Sequence, residues 1–99
     1  MKDENAIDLE KALIRRNPGA ISSDLDGEVV ILDMESGKYH GLDTTGTRIW
    51  ELLEDPITFD EIVLQLMTEY SVEQEQCTTD VKEFIYQMMD SGLVEAEKS

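Results

Sequence analysis

The chain has 99 residues, 40% of them hydrophobic, which is enough for one small domain with a single core. It carries 8 Lys and Arg against 23 Asp and Glu, so the net charge is −15. Nucleic acids and anionic membranes repel such a chain and are disfavoured as partners. No apolar run approaches the roughly 20 residues of a spanning helix, and the polar N-terminus lacks the apolar block of a secretion signal. We therefore expect a cytoplasmic protein.

The side chains offer little for catalysis or metal binding. The chain has one His and one Cys, His40 and Cys77, whereas a zinc site takes about three or four protein ligands. Cys77 lies four residues before Val81 on an apolar helical stripe, as a small buried hydrophobe would. The sequence contains no phosphate-binding loop, dinucleotide-binding glycine motif or nucleophile elbow. We expect no enzyme activity, cofactor or metal, and carboxylate catalysis is the one enzymatic alternative left open.

The first half of the chain predicts strands. Residues 1–11 are polar and are interpreted as a flexible arm, and the apolar segment 12–14 as a short strand ended by Pro and Gly. Residues 22–27 have the composition of a turn. The β-branched run 28–34 and the segment 38–42 predict a hairpin, because a short glycine-containing connection joins them.

The hydrophobic period then changes from two to 3.6, which predicts amphipathic helices. Asp43 or Thr44 can cap the first helix, which ends before Pro56. Thr58 followed three residues later by Glu61 is a capping-box pattern and predicts the start of the second helix.

The third predicted helix begins at another capping-box pattern, Ser71 with Gln74, and ends at Gly92. Leu93 and Val94 can add a last short strand. The predicted fold is therefore α+β: a three-stranded antiparallel sheet followed by three helices, in the winged helix-turn-helix arrangement.

Four segments of the chain resemble the PqqD-like proteins: 30–33, 37–43, 46–53 and 80–93. These proteins are recognition elements in pathways that make ribosomally synthesised, post-translationally modified peptides. The resemblance covers about residues 12–96 and implies a non-catalytic domain that holds the leader region of a precursor peptide. A short free-standing chain of this kind also resembles the recognition protein of lasso-peptide pathways, which delivers the leader to a separate leader peptidase. The pyrroloquinoline quinone chaperone is the sister possibility.

The resemblance places the leader as an extra strand beside the third predicted strand, in the cleft that this strand makes with the third helix. The residues support the same site, because segment 39–42 lacks the proline or inward charge that normally protects an exposed strand edge. Gly41 would let another backbone approach closely. The candidate peptide-binding residues are Ile31, Tyr39, His40, Gly41, Leu42, Asp80, Val81, Phe84, Ile85, Met88 and Met89.

The apolar stripe of the third helix has two interpretations. If Val81, Phe84, Ile85 and Met88 were all buried in the core, no groove would remain for a peptide. Met89 lies at the margin of the stripe with another apolar residue, Tyr86, and this favours a partly open surface. With Tyr39, the stripe then forms a pocket for the apolar anchors of the leader, so Gly41→Val and Met88→Glu should both weaken binding.

The fold also permits a winged-helix transcriptional regulator. The third helix, however, contains Lys82 as its one cation and carries Asp80, Glu83 and Asp90. An acidic helix is poorly suited to enter a DNA groove. A peptide-binding adaptor for a leader peptidase or modification enzyme is therefore the leading hypothesis.

Overall fold

The computed structural model describes residues 9–98, and residues 1–8 of the predicted arm over residues 1–11 lie outside them. A short 3-10 turn, Leu9–Lys11, precedes the first strand. The Leu9 side chain is buried in the core. The packed part of the chain therefore begins before the predicted boundary at residue 12.

Within the described part of the chain, the strands and helices form two antiparallel sheets and a helical layer. The elements are β1 (Ala12–Arg16), β2 (Ala20–Leu25), β3 (Glu28–Asp33), β4 (Lys38–Gly41), α1 (Thr44–Leu52), β5 (Ile57–Thr58), α2 (Phe59–Glu69), α3 (Gln74–Asp90) and β6 (Val94–Lys98). One sheet has the order β2-β3-β4 and the other the order β5-β1-β6. The α+β class, with a three-stranded antiparallel sheet, β2-β3-β4, and three helices, is confirmed.

The composition of the first sheet differs from the prediction. Residues 22–25 belong to β2, so the predicted turn is wrong for these positions. The segment predicted as the first strand, now β1, pairs instead with β5 and β6. Nearly all of β2 is exposed to solvent, so its polar composition is that of a solvated strand rather than a turn. The turn itself is confined to Asp26 and Gly27, both with positive φ.

The predicted hairpin is confirmed as β3 and β4. Ile31 lies opposite His40 and Leu32 lies opposite Tyr39. Gly37, in the connection, has a φ of 73°, a conformation that glycine adopts without steric cost. The hairpin places β4 at one edge of its sheet.

The predicted starts of the first two helices are also confirmed. Asp43 caps α1, since its Oδ1 accepts a 2.8 Å hydrogen bond from the Gly46 N–H. Thr58 Oγ1 accepts from the Glu61 N–H at 3.2 Å and donates to Glu61 Oε1 at 3.0 Å. This reciprocal pair is the capping box that the sequence predicts.

The start of α3 differs from the prediction, and its end agrees. Glu73 is the N-terminal capping residue and makes no side-chain capping bond, so the predicted capping box at Ser71 is wrong. Gly92, with a φ of 75°, terminates the helix as predicted. The chain then continues into β6, the last predicted strand.

The core lies between the sheets and the helices and contains the largest buried side chains. They include Ile14, Ile31, Ile49, Trp50, Leu53, Phe59, Ile62, Ile85 and Leu93. No helix among residues 9–98 is long and apolar enough to cross a membrane. The same residues contain no group of three or more side chains placed to hold a metal ion.

A charged cluster joins α1 to α2. Arg48 Nε donates to Glu69 Oε1 at 2.7 Å, and Arg48 Nη2 donates to Oε2 at 2.6 Å. The hydrogen bond from Arg48, with a second one from Gln65, lowers the pKa of Glu69 from 4.5 to about 2. The bidentate geometry makes this pair stronger than an ordinary surface ion pair.

Glu69→Gln is expected to reduce stability at neutral pH. Because the folded-state pKa of Glu69 is depressed, its stabilising contribution is full above pH 4.5 and is lost as the pH falls through about 2. Urea unfolding from neutral pH downward should therefore show the two proteins converging in stability over this window. Glu75→Gln, on the exposed first turn of α3, is the control and should not reproduce the convergence. A stability difference that is constant with pH would contradict the assignment.

Candidate functional site

The outer edge of β4 is open for pairing. The Leu42 N–H donates to the Val29 carbonyl at 2.9 Å, so this residue faces β3. Because backbone groups alternate along an antiparallel strand, Tyr39 and Gly41 direct their N–H and C=O groups away from β3. No other strand among residues 9–98 pairs with that edge. The edge therefore offers two donors and two acceptors to an extended peptide.

The two faces of this sheet differ. Ile31 is buried and lies opposite His40, so His40 and Leu42 belong to the face that packs toward the helices. Both residues are half-buried. Tyr39 lies on the opposite, outer face and is 72% exposed. Contrary to the prediction, its side chain therefore does not share a pocket with α3. Tyr39 contributes to the strand edge through its backbone.

Two clefts lie between the β4 segment and α3, and together they are termed here the β4–α3 groove. The cleft beyond the end of β4 has a volume of about 240 Å³ and is lined by residues that include Asp43, Gly46, Asp80 and Phe84. The cleft at the start of β4 has a volume of about 300 Å³ and is lined by Asp33, Ser36, Lys38, His40, Asp90 and Ser91. The middle and the C-terminal end of α3 therefore contribute to the groove, and β4 forms part of its other wall.

The ends of the groove are mainly acidic. Asp43 and Asp80 lie at one end, and Asp33 and Asp90 at the other. A hydrogen bond from the Ser36 hydroxyl, 2.9 Å from Oδ2, lowers the pKa of Asp33 and keeps it ionised. The groove therefore favours peptides with neutral or basic residues at these positions.

The α3 stripe is divided between the core and the groove. Val81, Ile85 and Met88 are buried in the core, whereas the prediction places them at the peptide. Phe84 and Met89 are half-buried and border the core. Asp80 is exposed, and its Oδ1 accepts a 2.8 Å hydrogen bond from Gln76.

Gly46 is a groove residue that sequence analysis missed. A Cβ at this position would lie 3.0 Å from Phe84 Cε1, so the missing side chain lets the Phe84 ring pack against α1. A glycine inside a helix costs about 1 kcal/mol relative to alanine, and this cost is the signal that could have identified a close contact. The other groove residues that the prediction missed had no comparable signal. They are Lys38, Ser91 and the aspartates Asp33, Asp43 and Asp90. A single aspartate does not stand out in a chain with 23 acidic residues.

The position of Gly41 does not fit its predicted role of letting another backbone approach closely. A Cβ built on Gly41 meets no atom within 4 Å, and it would stand on the outer face with Val30 rather than at the strand edge. Side chains of a strand project perpendicular to the sheet and do not block pairing at its edge. The prediction that Gly41→Val prevents peptide approach is therefore not supported by the geometry.

The family model described as coenzyme PQQ synthesis protein D (PqqD) matches residues 28–94, which include the hairpin, all three helices and the β4–α3 groove. The chain belongs to the PqqD family. The resemblance carried by the hairpin and helix segments is thereby confirmed. No curated protein sequence matches the chain.

Two solved structures similar to this PqqD-family chain contain leader peptides. TbiB1 in complex with the TbiA(beta) leader peptide is 34% identical with a TM-score of 0.79, and the match covers 86% of this chain and 99% of TbiB1. A lasso peptide synthetase B1 complexed with its leader peptide is 26% identical with a TM-score of 0.75, covering 83% and 96%.

A third structure shares the PqqD fold at lower identity. The PqqD truncation of Methylobacterium extorquens PqqCD, described as a stand-alone recognition element, is 16% identical with a TM-score of 0.70. The match covers 84% of this chain and 88% of that one. At this identity the likeness extends to the fold alone.

Proposed function

We propose that this chain binds the leader region of a precursor peptide and presents it to a separate enzyme of a lasso-peptide or related pathway. The observation that carries the proposal is the open edge of β4 beside the β4–α3 groove. An edge with unpaired backbone groups accepts an extended peptide as an additional strand, and neighbouring pockets provide side-chain specificity. The likeness to TbiB1, solved with a leader peptide, supports the proposal.

In this proposal, the leader pairs with Tyr39 and Gly41 through its backbone. Alternate side chains of the added strand face the groove, where Phe84 offers half-buried apolar surface and His40 lies at the wall. The remaining side chains face outward with Tyr39. The role is binding and delivery rather than catalysis, in the reducing cytoplasm where the one cysteine remains a thiol.

The partner enzyme is proposed to dock on the outer face of the β2-β3-β4 sheet. Three large apolar side chains of its strands are exposed there, namely Ile21, Leu25 and Tyr39, at 52%, 59% and 72%, and Met34, directly after β3, is 58% exposed. An added leader strand would extend this same face, so an enzyme docked on it would contact both the chain and the leader. A second copy of this chain is disfavoured as the occupant because each copy has a charge of −15.

Matched serine variants test the docking face. Ile21→Ser should lower the rate at which the partner enzyme processes the leader-bound precursor, with the peptide Kd unchanged. Leu64→Ser is the control, because Leu64 is exposed on α2 and lies away from the sheet. Equal processing rates for the two variants would place the enzyme elsewhere.

Binding of duplex DNA is not expected. Lys82 Nζ is 2.8 Å from Glu10 Oε2, so the cation of α3 is already engaged with a carboxylate. Asp80 and Asp90 add negative charge to the same helix. Micromolar affinity for random duplex at low salt in a filter-binding assay would favour the transcriptional regulator instead.

A nuclear magnetic resonance titration tests the leader site. The probe is a synthetic leader peptide of the cognate precursor. Backbone amide shifts are expected to concentrate at residues 38–42 and 80–89. Shifts that cluster on α2, at residues 58–70, would show that the leader binds elsewhere.

Leader association is expected to slow as salt rises. The acidic ends of the groove attract the basic residues of a leader over a distance that salt screens to about 10 Å at 0.1 M. Stopped-flow association rates should fall from low to high salt, and Asp80→Asn should reduce this dependence. Asp60→Asn, on the exposed first turn of α2, is the matched control. An association rate that does not change with salt would contradict electrostatic steering.

A further inference from the structure

Another cleft, more apolar than the two clefts of the β4–α3 groove, lies where α1, α2 and α3 meet. It has a volume of about 180 Å³, its walls include Leu66, Tyr70, Val72 and Val81, and we name it the helix cleft. Thr45 and Asp80 form its polar part. The cleft contains none of the β4 residues, so pairing along the strand does not account for it.

The helix cleft is continuous with the β4–α3 groove. Thr45 and Asp80 line both the helix cleft and the groove cleft beyond the end of β4. A peptide that runs along β4 and continues past Leu42 therefore passes Asp43 and Asp80 before it reaches the helix cleft. For this reason the leader peptide, rather than an unrelated ligand, is the occupant we assign to the helix cleft.

The lining determines which kind of side chain the helix cleft accepts. A cavity of about 150 Å³ lined by apolar side chains holds benzene, so the helix cleft has room for one aliphatic or aromatic side chain. Cys77 also lines the cleft, and burial raises the pKa of its thiol, which is consistent with a poorly hydrated floor. An acidic side chain would lose its hydration there and face the carboxylate of Asp80.

We infer that the helix cleft holds one apolar side chain of the leader, from a residue just outside the segment that pairs with β4. This inference rests on the proposed function and adds a second anchoring point to it. The residue between the two anchors passes the carboxylates of Asp43 and Asp80, so a basic or neutral residue fits there. The recognised leader is therefore longer than the paired strand alone.

Thr45→Trp tests the inference by blocking the mouth of the helix cleft. Thr45 is exposed on the first turn of α1, so the substitution leaves the core intact. The synthetic leader peptide should bind Thr45→Trp about tenfold or more weakly, because one apolar side chain loses its burial. Thr68→Trp is the control, since Thr68 is exposed on α2 and lies outside the cleft. It should bind as the unmodified chain does.

Methyl resonances separate this inference from the proposed function. On addition of the leader peptide, the methyl groups of Leu66, Val72 and Val81 should shift together with the amides of residues 38–42. A leader peptide truncated beyond its strand segment should move only the amides. Amide shifts without methyl shifts, or equal affinities for Thr45→Trp and Thr68→Trp, would overturn the second anchor and leave the strand site standing. Amides that do not move at all would overturn the proposed function itself.

Discussion

Gly41→Pro is expected to weaken leader binding by roughly 30-fold or more, or about 2 kcal/mol, while the domain stays folded. The Gly41 N–H faces the open edge of β4, so proline removes no hydrogen bond from the ladder with β3. It does remove a donor that the leader would use, and its ring occupies the edge. Isothermal titration with the synthetic leader peptide measures the loss, and circular dichroism confirms the fold.

Gly41→Val is the matched control for this experiment. It retains the N–H, and its Cβ would meet no atom within 4 Å on the outer face. Valine also suits a strand better than glycine, so affinity should stay within a few-fold of the unmodified chain. A folded Gly41→Pro that binds as well as Gly41→Val would exclude backbone pairing at this edge.

Met88→Glu is expected to destabilise the domain by about 4 kcal/mol at neutral pH. Met88 is 5% exposed and belongs to the core, so the new carboxylate would be buried without a partner. This is a large share of the about 5–15 kcal/mol by which domains are stable. The loss should shrink as the pH falls, because burial raises the pKa of the new carboxyl group and protonation removes its charge.

Chemical denaturation monitored by Trp50 fluorescence measures this effect. Met88→Leu conserves volume and apolarity and should cost less than about 1.5 kcal/mol. The sequence analysis predicted instead that a leader side chain lies against Met88. In that case Met88→Glu would stay folded and bind the leader more weakly. That outcome would show that α3 opens in solution further than the structure shows.

The local elements of this protein are largely determined by its sequence. The β3–β4 hairpin follows from a β-branched run and a glycine turn, and the caps at Asp43 and Thr58 follow from short-range hydrogen bonds. These signals depend on neighbours within a few residues and so can be identified without the fold. The open edge of β4 was predictable for the same reason, since residues 39–42 contain no proline and no charged side chain.

Strand partnership was decided by the tertiary structure. β1 was identified as a strand, but its partners are β5 and β6, and the exposed β2 takes the place beside β3. Three polar residues occupy the middle of β2, where the side chains face solvent, so its sequence carries no hydrophobic alternation. Pairing joins residues that are distant in the chain, and local composition contains no record of it.

The division of α3 between core and groove was likewise settled only in three dimensions. A period of 3.6 identifies the apolar face of a helix but not what covers each part of that face. Val81, Ile85 and Met88 meet the core, whereas Phe84 lies beside Gly46 and reaches the groove. These positions have similar hydrophobicity but different burial. The difference depends on how the neighbouring elements pack against α3, and the sequence of α3 alone does not determine it.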